Sequence, residues 1–556
     1  MDTGERSARP WLLMSPALTA IAFLLVIPVC FIVVYSFWLR TATGADVGGI
    51  HLDNWIEVAT DPFYRDILAF TLKIAFITTV LCALLGYVPA YFIAMTRMKH
   101  RTLLLILLML PFWISYIIRT MSWINILGVS GALNSFLVSL GIVGEPLQLL
   151  YNEASVILGL VHFLLPFMIL NVFVSLEGID RNLLDASRSL GATDFQSFLE
   201  VTLPLSLPGL AAGSLLCFVL AAGTYITPIV LGGPGTRCSP IWSSRPSSPS
   251  STGRSARSCR WCCWWCSVRW SRSITASSAS ARSPRASGEG AVVMLKGWSL
   301  IRAYTVLVYL FMFLPVAVVV LLSFNSAQFG SFPMEGLSFR WFVALWDNDA
   351  IVRAFRVSLL LGALTALIST TLGVLASLAL VRYDFPGKTL ISTALIAPIL
   401  VPEVVLAVAL LLFLRWLEMP KSFPLLLLGH VIFTLPFVLL VVQARLVSIR
   451  RDYEEAAMSL GAGPIQTFFE VTLPLLVPAV FAGMLFAFTI SFDDITGTLF
   501  WKPGGVETVP TQIFAMLRNS ISPEINALGT VMIVLTVCLP LFGAAIARRM
   551  AANRGG

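Results

Sequence analysis

Charge is scarce in this sequence: of its 556 residues only 12% are Asp, Glu, Lys or Arg, and four are His. A soluble chain of this length, at about 150 residues per domain, would form roughly four domains with charged surfaces, and a disordered chain would carry more charge still. Neither fits 57% hydrophobic residues and a mean hydropathy of +0.87. Catalytic signatures are missing as well. There is no HExxH, no nucleophile elbow and no pair of catalytic acids. Gly387-Lys388-Thr389 is not a P-loop, because the Gly required five residues before Gly387 is Arg382 and no strand precedes it. A net charge of +8 and nine cysteines leave anionic lipid, nucleic acid or a metal site open until their positions are known.

What the chain has in abundance is apolar runs. Crossing a hydrocarbon core of about 30 Å takes about 20 helical residues. Eleven runs meet that length or nearly so: 11–38, 74–96, 102–126, 154–176 and 203–231, then 303–324, 357–381, 389–414, 422–444, 473–492 and 525–547. Barrel strands would instead alternate over about 10 residues, so the fold class is an all-α polytopic membrane protein. Pro28, Pro166, Pro315 and Pro436 read as kinks within spans. The first run is longer than the apolar stretch of a cleavable signal and reads as a retained helix. Short loops rich in Lys and Arg belong in the cytoplasm. Arg97, Lys99 and Arg101 follow the second span, and Arg181 and Arg188 follow the fourth. Arg382 and Lys388, and Arg445, Arg450 and Arg451, occupy the same places in the second half. An intact half therefore has six helices with both termini cytoplasmic.

The chain repeats itself. Leu184–Gly213 aligns without gaps on Glu454–Gly483, a shift of 270, with 16 identities in 30 positions. Upstream a shift of 287 pairs Pro28 with Pro315, Gly86 with Gly373 and Pro111 with Pro398. Both halves keep the same topology, so the duplication is parallel. The repeated loop reads Asp185-Ala186-Ser187, Gly191 and Val201-Thr202-Leu203-Pro204, mirrored by Glu455-Ala456-Ala457, Gly461 and Val471-Thr472-Leu473-Pro474. Small residues one turn before a Gly suit a short helix that another protein approaches closely. Hydropathy and topology do not require the same loop twice.

Acidic-Ala-small, three residues, Gly, nine residues, aliphatic-x-Leu-Pro resembles the EAA loop of permease subunits in binding-protein-dependent ABC importers. Asp185 and Ser187 depart mildly from the Glu and Ala of that motif. Within that family the first half, with EPLQLLYNEASVILGLVHFLLPFMIL, is similar to the B subunit of spermidine/putrescine permeases. The second, with SFN at 323–325, SFDD at 491–494 and SPEINAL at 522–528, is similar to the C subunit. The resemblance implies two permease domains, 1–236 and 291–556, in a bacterial inner membrane. It implies that each loop docks as a coupling helix on a cytoplasmic ABC ATPase dimer, which holds ATP and Mg while this chain holds no cofactor. A periplasmic or extracellular binding protein would deliver the substrate, with no nucleic-acid partner.

Residues 237–290 break the pattern where a sixth span of the first half belongs. They hold 9 Arg, 17 Ser, 5 Cys and 5 Trp, no Lys and a single acid, Glu289. The whole +8 lies here, since the rest of the chain has 37 − 9 = 28 basic and 29 − 1 = 28 acidic residues. A Ser/Arg linker is one reading, and a metal or redox site at Cys259, Cys262, Cys263 and Cys266 is another. The genetic code favours a third. Trp is only TGG and Cys only TGC or TGT, so Trp261 to Ser267 read one base earlier becomes NTG, GTG, YTG, YTG, GTG, GTG, YTC. That spells Leu/Val/Met, Val, Leu, Leu, Val, Val, Leu/Phe, the interior of a membrane helix. The segment thus reads as a frameshifted sixth helix, with Met294 as the former start of the second half. Passing 259–272 through the bilayer as written would place Arg260, Arg269 and Arg272 near its centre, at about 2.5–3.5 kcal/mol each.

Ionisable residues at membrane depth are costly and are candidates for the substrate path. Glu403 interrupts the third span of the second half, and Asp493 and Asp494 end its fifth. With Trp113, Tyr116 and Tyr225 they could hold an ammonium by charge and cation–π attraction. His162 and His430 do not align under the repeat and read as polar packing groups. A polyamine importer leads. A ferric-iron or phosphonate importer permease is the alternative, and a secondary transporter or membrane enzyme a distant one. The frameshift lies either in the gene itself, leaving the chain impaired, or in its sequencing; resequencing the gene across codons 236–294 decides, and an in-frame read confirming 238–288 as written overturns the artefact version.

Overall fold

The computed structural model describes residues 9–40, 46–96, 101–233, 288–327, 332–519 and 522–552. Of the aberrant segment only 288–290 fall among them. The described residues are almost wholly helical, apart from a two-residue antiparallel pair, Leu39–Arg40 with Asp46–Val47, and one isolated bridge. Among the described residues ten helices are long and apolar enough to cross a membrane, and a bent pair makes an eleventh when taken as one span. In the first half the spans are Pro10–Tyr35, Pro62–Met95, a broken third ending in Tyr116–Ser139, Glu153–Glu177 and Asp194–Ala222. In the second they are Ser299–Leu322, Asp349–Arg382, the bent pair Lys388–Leu400 and Glu403–Trp416, Phe423–Ser448, Pro464–Asp493 and Pro523–Gly543.

The third span differs from the straight helix that its apolar run suggests. In the second half its two pieces meet at 101°. Val401 and Pro402 are extended there, with ψ of 126° and 130°. Pro402 has no N–H to continue the helix and its ring drives Val401 out of the α region. In the first half Arg101–Met109 runs into a 3₁₀ turn, Leu110–Trp113, and then breaks at Ile114 and Ser115, with ψ of 128° and 132°. The shift of 287 superposes the two breaks, Ser115 on Pro402 and Tyr116 on Glu403. Pro28 leaves a milder mark, a π turn over Ala22–Val26 ahead of it.

Each half is built on spans two, four and five, and the packing depends on glycine. Lipid tails are as apolar as the helices, so association rests on close fit. A Cβ on Gly86 would lie 3.1 Å from Met168 Cγ, and one on Gly213 2.9 Å from Met168 Sδ. Val438, the counterpart of Met168, sits likewise between Gly373 and Gly483, with its Cγ1 2.7 and 3.2 Å from their would-be Cβ atoms. One side chain of the fourth span thus fills notches in the second and fifth, in both halves. Ser369 and Thr434 add a hydrogen bond of 2.7 Å between spans two and four of the second half.

The first spans are exchanged. Met14, Ala17, Ile21, Leu24 and Leu25 share a core cluster with Leu361, Leu406, Leu435 and Leu439 of the second half. Reciprocally, Val308, Tyr309 and Met312 are buried among Ala90, Ile93, Leu108 and Val161 of the first. Tyr309 donates to the Leu104 carbonyl at 2.8 Å, and His162 meets the Met312 carbonyl at 3.0 Å. The domain boundaries 1–236 and 291–556 therefore divide the sequence but not the packed bodies.

The ends of the halves lie on opposite faces. Span five of the first half rises from the Gly191 loop and closes at Leu231, whose carbonyl accepts from Tyr151 N at 2.9 Å beside the start of span four. The second half starts on the loop face, with Tyr309 at the level of Leu104, and Leu322 finishes among Leu127 and Leu150 on the far face.

Gly373→Ala is expected to destabilise the protein by about 1–3 kcal/mol through overpacking against Val438. Thermal unfolding in detergent checks this. Gly504→Ala, where nothing lies within 4 Å of the new Cβ, should leave the transition in place, and adding Val438→Ala to Gly373→Ala should recover part of the loss.

Candidate functional site

Irregular backbone at membrane depth survives only where protein or a water-lined cavity satisfies its polar groups. Both third-span breaks meet this condition at the seam between the halves. The freed N–H of Tyr116, at the head of Tyr116–Leu127, donates to Asp493 Oδ2 at 3.2 Å. Asp493 ends the fifth span of the second half, so this bond crosses the seam. A helix N-terminus carries positive potential, which suits a carboxylate there. The pseudo-symmetric contact pairs Gly223, at the end of the first half's fifth span, with Pro402; a Cβ on Gly223 would lie 2.7 Å from Pro402 Cβ.

The second break carries Glu403 in the first turn of Glu403–Trp416. Its Oε1 accepts from Gly497 N at 3.1 Å, and the same N–H lies 3.4 Å from Asp494 Oδ1, so the two carboxyls are neighbours. Asp494 Oδ2 accepts from Thr498 N and Thr498 Oγ1, both at 2.8 Å. His430, buried in the fourth span, stands 3.3 Å from that oxygen, with Nδ1 2.8 Å from Ser491 Oγ and Nε2 3.0 Å from Thr498 Oγ1. Trp501 closes the base of this group. It is fully buried against Gly429 and donates its indole N–H to the Ala407 carbonyl at 3.0 Å, tying Thr496–Trp501 to the helix that begins at Glu403.

Of the residues singled out from sequence, Glu403, Asp493, Asp494 and Tyr116 come together at the seam. Tyr116 sends its hydroxyl to Thr227 at 2.7 Å and stacks its ring 4.5 Å from Phe163. Tyr225 reaches across to Phe500 of the second half, with centroids 6.1 Å apart. Trp113 is half-buried at the end of the 3₁₀ turn before the break. His162 packs as expected, edge-on to Trp123 and Phe311. His430 packs as well, buried with hydrogen bonds to two hydroxyls, and Asp494 beside it joins it to the carboxyl group. Arg119 escaped notice altogether. It is 4% exposed, one turn along from Tyr116, with its guanidinium 5.0 Å over the Phe163 ring. The signal was available, since a charge inside a span is itself the mark of a site.

The two repeated loops fold alike on the opposite face. Arg181–Ser189 and Asp452–Ser459 are short helices, each ended by a glycine in the left-handed region, Gly191 at φ 88° and Gly461 at φ 94°. Asp185, Ala186, Glu455 and Ala456 are exposed, whereas Ser187 and Ala457 are half-buried. Beside the glycines Leu190 is 88% and Leu460 89% exposed. Such bare leucines mark a protein contact when they stand in a patch, and Phe195 and Ile465 extend it. Arg181 donates to the Ala94 carbonyl and its counterpart Arg451 to Val381, at 3.2 and 2.9 Å, anchoring each loop to the end of span two. The Arg382–Glu454 pair, 3.0 Å apart and nearly buried, strengthens the second anchor.

The family model for the binding-protein-dependent transport system inner membrane component matches residues 369–552. The chain is 34% identical over 249 residues to the spermidine/putrescine transport system permease protein PotC of Shigella flexneri, covering 45% of this chain and 94% of that protein. It is 38% identical over 211 residues to PotB of Haemophilus influenzae, covering 38% of this chain and 73% of that protein. Between them the two kinds of relative match both halves. Among solved structures, a bacterial alginate ABC transporter covers 47% of this chain and 97% of its own at TM-score 0.39 and 17% identity. The chain belongs to the binding-protein-dependent transport system inner membrane components, as a multi-pass ABC importer permease, a transporter and not an enzyme, with two homologous halves in one polypeptide.

Proposed function

We propose that the chain carries a polyamine through the seam, driven by an ATPase docked on the Gly191 and Gly461 loops. The observation that supports this reading best is the lopsided charge of the site. Glu403, Asp493 and Asp494 all come from the second half, while from the first Tyr116 meets Asp493 through its backbone N–H and Tyr225 reaches Phe500. A flexible dication is the substrate such a lining suits, with carboxylates for its ammonium ends and aromatic faces for its cationic methylenes.

On this reading Asp185, Ala186, Ser187 and Gly191, with Glu455, Ala456, Ala457 and Gly461, form the coupling surface in the cytoplasm, and the termini of intact halves lie on the same side. ATP and Mg sit in the partner ATPase. Its closure moves the two loops, and the Arg181 and Arg451 anchors pass that displacement to the second spans and on to the helix breaks. An external binding protein loads the opened seam from the far face. PotB and PotC are named for spermidine and putrescine, which accords with the chemistry of the lining.

Uptake of labelled putrescine in membranes that also hold the ATPase and binding protein tests the substrate; uptake of ferric iron in its place overturns it. Glu403→Gln and Asp494→Asn should each raise KM for putrescine roughly tenfold to a hundredfold, as expected for losing a charged hydrogen bond of about 1.5–3 kcal/mol. Gly191→Ala and Gly461→Ala place a Cβ in the left-handed region at about 1–2 kcal/mol. They are expected to lower putrescine uptake and ATPase docking together without changing KM. Unaltered uptake at normal expression would remove these loops from coupling.

A further inference from the structure

The side chain of Arg119 takes no part in the contacts that hold the seam, yet it lies in the middle of them. It sits in Tyr116–Leu127 among Ile117, Ile118 and Met121, all fully buried. A guanidinium at that depth is costly and is kept for a partner or a path. Among the described residues no carboxylate lies within ion-pairing distance of it, and its Nε is buried with no hydrogen-bond partner. What it touches is an aromatic face, since the Phe163 ring beneath it at 5.0 Å also receives the Tyr116 ring at 4.5 Å.

Asp493 is incomplete in the complementary way. Its Oδ2 takes the Tyr116 N–H, while its Oδ1 is buried with no hydrogen-bond partner. Side chains on a helix lean toward its N-terminus, so Arg119, one turn inside Tyr116–Leu127, leans back toward the helix head where Asp493 sits. Asp493 is the acid whose charge bears on it. Packing does not ask for either charge. The repeat-mates of Arg119 and Asp493 are Leu406 and Gly223, and Leu406 is fully buried, so the other half accepts a plain apolar side chain at this place. Both charges stand on one side of the pseudo-symmetric seam, and both are missing from the other.

We infer that Arg119 is a positioning residue that acts through Asp493: a cation tethered in the path, which takes the open Asp493 oxygen when the seam narrows and yields it to an ammonium of the substrate when the seam widens. Phe163 holds the guanidinium while it is displaced. The guanidinium comes from the first half and the carboxylate from the second, so their separation follows the width of the seam. Asp493 thereby keeps a counter-charge with or without cargo, as a carboxylate at this depth requires. The identity of the competing ammonium rests on the polyamine reading above; the pair itself does not.

The full chain, reconstituted with the ATPase in lipid vesicles, tests both parts. ATP hydrolysis is read first, without putrescine or binding protein. Arg119→Gln and Asp493→Asn are each expected to raise it severalfold, because the narrow seam loses its pair, and together to raise it no further than the larger single effect. Effects that multiply, or no rise, overturn the pair. If Arg119→Gln does not assemble, adding Asp493→Asn should restore assembly by removing the stranded charge, and no restoration overturns the pair as well. Putrescine uptake with the binding protein then reads the competition. KM should fall severalfold in Arg119→Gln and rise in Asp493→Asn, whereas damage to packing moves both the same way, and Arg119→Lys should stay near the unsubstituted chain. A KM that does not fall in Arg119→Gln overturns the competition. An unsubstituted chain that takes up no putrescine refutes the polyamine reading instead, and ATP hydrolysis still decides on the pair.

Discussion

The structure depends on how two broken helices satisfy their backbone inside a membrane. A helix that stops in hydrocarbon leaves N–H and C=O groups that each cost several kcal/mol without a partner. Here the end of each fifth span is brought to the break in the other half's third span. Asp493 takes the Tyr116 N–H, and Gly223 lets the backbone approach Pro402. Because Asp493 completes the first half's break and Gly223 packs on the second half's, the seam is where the two repeats become one molecule. Any change in their separation must remake these contacts, which makes the seam the natural position for a gate.

Duplication gave two equivalent sets of positions, and divergence made them unlike. Tyr116 and Glu403 are repeat-mates, as are Gly223 and Asp493, Thr224 and Asp494, and Leu160 and His430. All the carboxylates and their histidine went to one half; the buried Arg119, whose mate is Leu406, went to the other. Glu403, Asp493 and Asp494 thus stand on the second half's side of the seam, and Arg119 on the first's.

Much of this was legible in the sequence, for physical reasons that also mark the limits. Apolar runs give spans because lipid permits little else, and the loops were visible because identical residues recur at one shift. The breaks were hidden because prolines are tolerated within spans: Pro166 and Pro436 lie inside unbroken helices, and nothing local distinguishes them from Pro402. The partners of His430, Ser491, Asp494 and Thr498, could not be read because they are more than 60 residues away along the chain. The exchange of first spans could not be read at all, since a helix apolar all round carries no stripe to say which neighbour it prefers.

That exchange decides what can move. With Pro10–Tyr35 packed on the second half and Ser299–Leu322 on the first, each rigid body is a core of spans two, four and five together with the first span of the other half. Among the described residues, the connectors between spans one and two join the two bodies near the far face. Both are tied down at the same place by different chemistry. Asn54 donates to the Trp38 carbonyl at 2.8 Å, and its repeat-mate Trp341 donates to the carbonyl of Asn325, the mate of Trp38, also at 2.8 Å. Keeping that bond while exchanging both residue types implies that the bond matters more than the side chains that make it. Each half is thus held to the other by its own first span, and in both the same bond ties the short helix before span two back to the end of that first span.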